Sequence, residues 1–374
     1  MIFKKANLNL SIVLILTIYA FFINWISANL GVLPIDTFAF FDSGYSILNN
    51  KLPLRDFWIF TGILVDYLQA LFFWIFGANW SSYVIHGCFL NIVTSLSFYF
   101  FLIKIDLNKF YSFFYALSFA TLCYPVSGTP FAYLHAYCLS LISIFVLSLA
   151  IKEKNNFLWL LLPIVFFLAF ISMQTPTAYI FLIILLFSIY FLIIKKNFEG
   201  LKFFIIGGFL SLSIFFFFLY ITKTPFDNFL YQYILFPLSI GAGRLGNDSS
   251  AFITLIDQMN FQRLIGNFKF IHIFLFPLIF LTIKLFADKE KSYIKIINVI
   301  IILSVIAYFF NQLVTANQIF IFSLIPVMAA MLHISLKKLK LSNIYIYLIF
   351  FVVIFSTSKF HERYNFERKF LDLE

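Results

Sequence analysis

Charge is what this chain has least of: 11% of its 374 residues are Asp, Glu, Lys or Arg, against about 25% in soluble domains. Hydrophobic residues make up 63%, Phe alone accounts for 57 positions, and mean hydropathy is +0.99. A water-soluble core cannot hide that much apolar surface, so the composition belongs to a chain dissolved in lipid. Cysteine is scarce as well. Cys88, Cys123 and Cys138 sit in or beside apolar segments, with neither metal-ligand spacing nor the even count of a disulfide framework. They read as small buried hydrophobes. Arginine supplies only 5 of the 26 basic residues, a bias that, with abundant Phe, Ile and Asn, suits a low-GC bacterial genome. Polar chain is short too. Once about eleven spans of about 20 residues are set aside, no room remains for a soluble domain. Residues 1–374 therefore read as a single all-α polytopic membrane domain.

The net charge of +10 could suggest nucleic acid, but its placement points to a bilayer instead. Lys4 and Lys5 precede an apolar run to about Leu30 that is too long for a signal-peptide core, giving a first span with a cytoplasmic N-terminus. Further apolar runs cover roughly 57–77, 83–103, 109–124, 134–151, 157–172, 177–194, 203–222, 270–286, 296–310, 318–335 and 343–358. Met173-Gln174-Thr175-Pro176-Thr177 separates two of them with a tight turn.

Whether 57–77 crosses decides the side of everything after it. If it crosses, the clusters Lys104/Lys109, Lys152/Lys154, Lys195/Lys196/Lys202, Lys284 to Lys295 and Lys337 to Lys340 all fall outside. If it does not, 16 of 26 basic residues face the cytoplasm and 11 of 16 acidic residues face outward, as the positive-inside rule requires. Asp66 and Gln69 sit within this run, and a carboxylate at mid-bilayer costs about 2.5 to 3.5 kcal/mol. The expectation is therefore eleven spans, N-terminus in and C-terminus out, with 57–77 lying along the outer interface. Outside then fall residues 31–82, the loop near 123–134, residues 223–269 and a tail from 359 to 374 expected as a surface amphipathic helix. The inner loops are short and merely basic, which places any chemistry outside.

Residues 31–62 of the first outer segment carry three carboxylates, Asp36, Asp42 and Asp56, and the order runs Asp42-Ser43-Gly44-Tyr45, then Lys51-Leu52-Pro53-Leu54-Arg55-Asp56-Phe57, then an amphipathic stretch ending Phe76-Gly77. That order resembles the first extracytoplasmic loop of the GT-C membrane glycosyltransferases, bacterial members of the protein-mannosyl and aminoarabinose transferase type. Gln174-Thr175-Pro176 is similar to a Lys-Gln-Thr-Pro turn in such proteins, with Met173 where Lys is usual. Residues 228–244, with Gln232, Pro237 and Arg244, are similar to their long outer loop. The resemblance implies a GT-C-like fold and an inverting transfer of a sugar from a polyprenyl-phosphate carrier to a glycan, lipid or protein acceptor at the outer membrane face.

On that reading Asp42 matches the family's loop-one Asp and would be the base, with Asp36 orienting the acceptor or helping to bind a cation. Arg244, after Gly241-Ala242-Gly243, would meet the departing phosphate, unless the glycines make only a hinge with a solvated Arg. Arg55, Lys51 and Arg263 are further cationic candidates. Asp56 either pairs with Arg55 or caps a helix starting near Phe57. Asp66 is either a polar-face residue of an interfacial helix or part of the site. The second outer loop, Cys123 to His135, departs from the family in having no carboxylate, so His135 is either a substitute ligand or donor or a structural interfacial histidine, and a divalent cation stays an open question. His86 and His272 fall near outer span ends, where they either pack or approach the site. Asn311-Gln312 and Asn317-Gln318 read as a polar outer turn. The alternative from another class is a lipid-oligosaccharide flippase or other transporter. Its usual marks, mid-membrane ionisable groups and internal repeats, are missing from the sequence. A polysaccharide polymerase shares donor type and membrane side.

Overall fold

The computed structural model describes residues 2–32, 37–123, 128–246, 254–288, 292–316 and 321–365. The described chain is helical, without strands. In order it forms α1 (Ile2–Ala28), α2 (Ala39–Leu48), α3 (Leu64–Phe76), α4 (Trp80–Lys104), α5 (Lys109–Leu122), α6 (Ala132–Glu153), α7 (Asn156–Phe170) and α8 (Gln174–Ser188). After a π-helical turn at Ile189–Ile194 come α9 (Phe198–Thr222), the short α10 (Phe226–Phe229), α11 (Phe236–Leu245) and α12 (Leu255–Gln258). The last four are α13 (Lys269–Ala287), α14 (Ile294–Val314), α15 (Leu324–Lys338) and α16 (Ile344–Asn365).

Eight helices among the described residues are long and apolar enough to cross a membrane: α1, α4, α6, α8 with its π turn, α9, α13, α14 and α16. This is a polytopic membrane architecture. The shorter α5, α7 and α15, of 14, 15 and 15 residues, make the difference from the expected eleven.

The bundle has two unlike ends. At one, Lys152 pairs with Asp106 at 2.7 Å and Lys104 with Glu153 at 3.1 Å, joining the α4–α5 and α6–α7 turns. A groove there is lined by Ile12 of α1, Lys109 and Lys337, and another by Lys284, Leu341 and Tyr345. Gly200 at the start of α9 lies against Trp159 near the start of α7. At the opposite end, Asn24 donates to Gly128 O, Gly62 N to Ser172 O and Arg55 Nη1 to Thr222 O, each at 2.9 Å. Ser27 there donates to Asn365 Oδ1 at 2.7 Å. The eight long helices run between these ends, whereas α2, α3 and α10 to α12 lie toward the second end.

Asparagines start three of the helices that begin at the lysine-bearing end. Asn108, Asn155 and Asn197 each accept a backbone N–H of the following helix, satisfying one of the orphan donors of a first turn. Inside lipid, apolar side chains gain little by meeting one another, so helices associate through close packing and polar contacts. Asn91 Nδ2 accordingly bridges the carbonyls of Ala20 and Ala120, tying α4 to α1 and α5. Asn298 Nδ2 donates to Thr282 Oγ1 at 3.0 Å and Ser335 Oγ at 2.9 Å, tying α13, α14 and α15. Such contacts contribute roughly 0.6 kcal/mol each. Gly207 lets α9 press onto α7, since a Cβ there would stand 2.2 Å from Leu160 O.

The stretch 57–77 begins as a helix only at Leu64. Before that, Ile59 N donates to Gln232 Oε1 at 3.1 Å, and the carbonyl of Phe60 accepts from Gln174 Nε2 at 2.9 Å. Backbone groups pledged to neighbouring segments cannot close helical turns. The resulting α3 has 13 residues, about 20 Å of length against about 30 Å of hydrocarbon. Asp66, Gln69, Ala70 and Phe73 are buried on one face, while Leu71, Trp74 and Ile75 are exposed on another. The tail expected to start at residue 359 is not a separate helix: α16 continues unbroken to Asn365, and residues 366–374 lie outside the described residues.

Candidate functional site

The site begins with α2 packed against α3. Gly44 makes that approach possible, because a Cβ on it would stand 2.7 Å from Gln69 Cγ. The next residues along, Ser43 and Asp66, meet directly: the Ser43 hydroxyl donates to Asp66 Oδ1. Asp66 is 2% exposed, and its Oδ2 has no hydrogen-bond partner among the described residues. Burial pushes this carboxyl up to about 7, with the Ser43 hydroxyl pulling the other way.

The chain between α2 and α3 is fastened to the 222–236 region. Arg55 donates through Nε and Nη2 to the Asp56 carboxylate, at 2.7 Å for the shortest contact, and through Nη1 to Thr222 O. The guanidinium holds Asp56 below the usual carboxylate range, helped by the Leu52 N–H, which donates to Asp56 Oδ2 at 2.7 Å. Asn228 Nδ2 donates to Leu54 O at 2.8 Å, and Gln174 Nε2 to Tyr233 O at 2.6 Å. Gly62 sits where a Cβ would fall 1.9 Å from Ile171 O. These contacts carry α11 to the mouth of the space in front of α2 and α3.

That space is a cavity of about 690 Å³ lined by Asp42, Ser43, Asp66, Arg244, Met173 and Thr315, with aromatic walls from Phe40, Phe57, Trp58, Phe60, Phe131 and Tyr133. Its size falls in the range of small-molecule sites, roughly 300 to 1,000 Å³. Two carboxyls from successive helices and a guanidinium from residue 244 thus share one enclosure, although the sequence separates them by up to 202 positions, 244 minus 42. Asp42 is exposed on the lip and Asp66 is buried in the wall. Arg244 does not ride a glycine hinge. It belongs to the last turn of α11, and Gly241 has open space around it rather than a closely approaching neighbour.

The remaining candidates distribute as follows. Asp36 lies outside the described residues. Arg55 and Asp56 clasp each other and the backbone, away from the cavity lining; the helix that Asp56 was expected to cap starts only at Leu64. His135 stands behind the cavity wall, its Nδ1 2.9 Å from Phe131 O and its Nε2 3.0 Å from His86 Nε2. His86 Nδ1 in turn lies 2.9 Å from Gln69 Oε1. Among the described residues no group of three or more His, Cys, Asp or Glu side chains gathers as a metal site. Asn311 and Gln312 are not a solvated turn: both are fully buried in the last turns of α14, and Gln312 Nε2 donates to Tyr133 Oη at 2.7 Å. Asn317 and Gln318 lie outside the described residues. Arg263 is also buried, donating through Nη2 to Gln312 O at 3.3 Å.

Ser43, Gln69 and Tyr133 were missed as site residues. Ser43 had a signal, standing next to Asp42, but nothing in the sequence pairs it with a carboxyl 23 residues later. Compared with known proteins, the chain matches no family model, no curated protein and no solved structure.

Proposed function

We propose that this chain is an inverting, GT-C-like glycosyltransferase that moves a sugar from a polyprenyl-phosphate carrier to a glycan, lipid or protein acceptor. The observation that carries this reading is the meeting of Asp42, Asp66 and Arg244 in one aromatic-walled cavity at the end of the bundle away from the lysine clusters. Aromatic faces suit the apolar faces of a sugar ring, and a base facing a cation suits transfer away from a phosphate.

In this account Asp42 accepts the proton of the acceptor hydroxyl as its oxygen attacks the anomeric carbon. The new carbon–oxygen bond forms opposite the bond to the carrier phosphate, which breaks and leaves its electron pair on the phosphate. Arg244 stabilises that leaving anion. Asp66 completes the carboxyl pair from the wall. On the other side of α3 an apolar cleft of about 250 Å³, lined by Ile63, Tyr67, Phe167, Leu210 and Phe218 among others, suits a polyprenyl chain entering from the bilayer. The chain passes eleven times through a bacterial cytoplasmic membrane, with α5, α7 and α15 completing the count and α3 lying in the outer interface. Its N-terminus is then cytoplasmic and its C-terminus outside, which puts every lysine cluster on the inner face.

The test is transfer from polyprenyl-phosphate-linked sugars in membranes holding wild type or Asp42→Asn at equal expression. The reading expects transfer by wild type and its loss in the variant. Undiminished transfer by the variant removes Asp42 as base, and carrier translocation without transfer favours a flippase.

A further inference from the structure

Behind the cavity, α3, α4 and α6 meet through a row of polar contacts that the transfer chemistry does not use. Gln69 Oε1 faces His86 Nδ1 at 2.9 Å, His86 Nε2 faces His135 Nε2 at 3.0 Å, and His135 Nδ1 faces Phe131 O at 2.9 Å. Both imidazoles are 1% exposed, and the Phe72 ring stacks on His86 with centroids 4.9 Å apart.

The protons in this row can be counted. A backbone carbonyl only accepts, so His135 Nδ1 carries a hydrogen. The Nε2–Nε2 contact needs one hydrogen between two lone pairs. Gln69 Oε1 also only accepts, so it calls for a hydrogen on His86 Nδ1. The row as it stands therefore holds three protons, whereas two neutral imidazoles own two. A neutral pair is consistent only if the Gln69 amide turns over and presents its NH2 to His86 Nδ1. The Gln69 Nε2 is itself buried without a partner among the described residues, so its neighbours do not fix the amide against that turn.

We propose that His86 and His135 form a one-proton site, holding an added proton between their Nε2 atoms, with Asp66 as its counter-charge and the Gln69 amide turning with its occupancy. The step takes up one H⁺ and moves no electron. Asp66 lies one helical turn before Gln69 on the same buried face of α3, which puts it within the range at which charge couples through a desolvated region. The ionisable groups at this end of the surrounding elements are Asp42 and Tyr45 of α2, Asp66 and Tyr67 of α3, Tyr83 and Cys88 of α4, Cys123 just after α5, Tyr133, Tyr137 and Cys138 of α6, Tyr179 of α8 and Tyr308 of α14, with the cations Arg244 of α11 and Arg263 before α13. Phenols and thiols at their ordinary values are neutral near pH 7, leaving the two carboxyls to carry negative charge. Asp42 is out on the exposed lip, so Asp66 is the buried partner. Its proton and that of the imidazole pair then titrate as one coupled system. This inference stands apart from sugar transfer, since the proton count is the same whatever the cavity binds.

The test is nitrogen-15 NMR of histidine-labelled full-length protein in lipid nanodiscs, titrated from about pH 8 to about pH 5. His135→Gln identifies the signals of the pair. Wild type is expected to take up one proton at the pair and to show scalar coupling between two Nε2 nuclei. Asp66→Asn, which keeps the size of the side chain, is expected to leave the pair neutral across the same range. Three results overturn the proposal: uptake of no proton or of two, uptake in Asp66→Asn at the wild-type pH, or a stoichiometric metal ion occupying both Nε2 atoms. If His135→Gln does not fold, wild type and Asp66→Asn still decide.

Discussion

The two ends of the bundle solve different problems with the same few polar residue types. At the lysine-bearing end, asparagines cap helices, and the ion pairs Lys104–Glu153 and Lys152–Asp106 each have an exposed partner. Such pairs contribute about 0 to 1 kcal/mol. At the opposite end polar side chains are buried: Asp66, Gln69, His86, His135, Arg263, Asn311 and Gln312 are all at most 7% exposed. Burying polar groups without full pairing costs stability, and Asp66 Oδ2 and both side-chain polar atoms of Asn311 lack partners among the described residues. Unpartnered buried atoms occur toward the lysine-bearing end too, at Trp159 Nε1 and His333 Nε2; what sets the opposite end apart is a buried carboxyl that lines a cavity.

Substitutions at the two ends should therefore differ by orders of magnitude. The largest effect is expected from Asp42→Asn, about 10²- to 10⁴-fold in transfer rate with unchanged folding, the usual contribution of a general base; a rate assay beside a melting curve checks both. Arg244→Gln follows at about 10²- to 10³-fold, the scale of one lost charge stabiliser, and the same assay reads it. Gly62→Ala tests the scaffold: its Cβ would meet Ile171 O at 1.9 Å, and overpacking of this kind typically costs about 1 to 3 kcal/mol, seen as a lower Tm in detergent.

Asp66 gives a pH signature with a definite sign. Burial raises its folded pKa to about 7, above the ordinary 3.8, so between those values the folded state holds, on this carboxyl or on the imidazole pair coupled to it, one proton that the unfolded carboxyl has released. Stability from this residue is present below about pH 4 and is lost as pH rises through 7, on the order of 4 kcal/mol at most. Wild type should melt at lower temperature at pH 8 than at pH 5, and Asp66→Asn should show less of that slope. At the other end, Lys152→Ala should shift Tm by an amount worth under about 1 kcal/mol. An effect there as large as at Asp66 would erase the contrast between the ends.

Much of this was legible in the sequence for a physical reason: lipid forces long apolar runs, and orientation forces lysine to one side. The break at residues 173–177 and the helices flanking it follow from the first constraint, and the 57–77 stretch, expected along the interface, forms a helix of only 13 residues. The start of α3 at Leu64 was not legible, because it depends on Gln232 and Gln174 capturing backbone groups from far along the chain. Within the site, Asp42 and Arg244 could be named from local pattern, and both line the cavity. Arg55 carried the same kind of local pattern, yet the fold engages it with Asp56 and Thr222 O. Asp66 could be named but not assigned, since its meaning rests on Ser43, and the pairing of His86 with His135 across 49 positions has no periodicity to announce it.

The central claim is that the carboxyl-bearing end faces outward and the lysine-bearing end inward. Cysteine labelling of intact cells with a membrane-impermeant maleimide tests it directly, since the three native cysteines are buried. Tyr45→Cys, exposed on α2 beside the cavity, should label from outside, and Ser292→Cys, at the turn before α14, should label only after lysis. Labelling of residue 292 but not of residue 45 in intact cells would contradict the account.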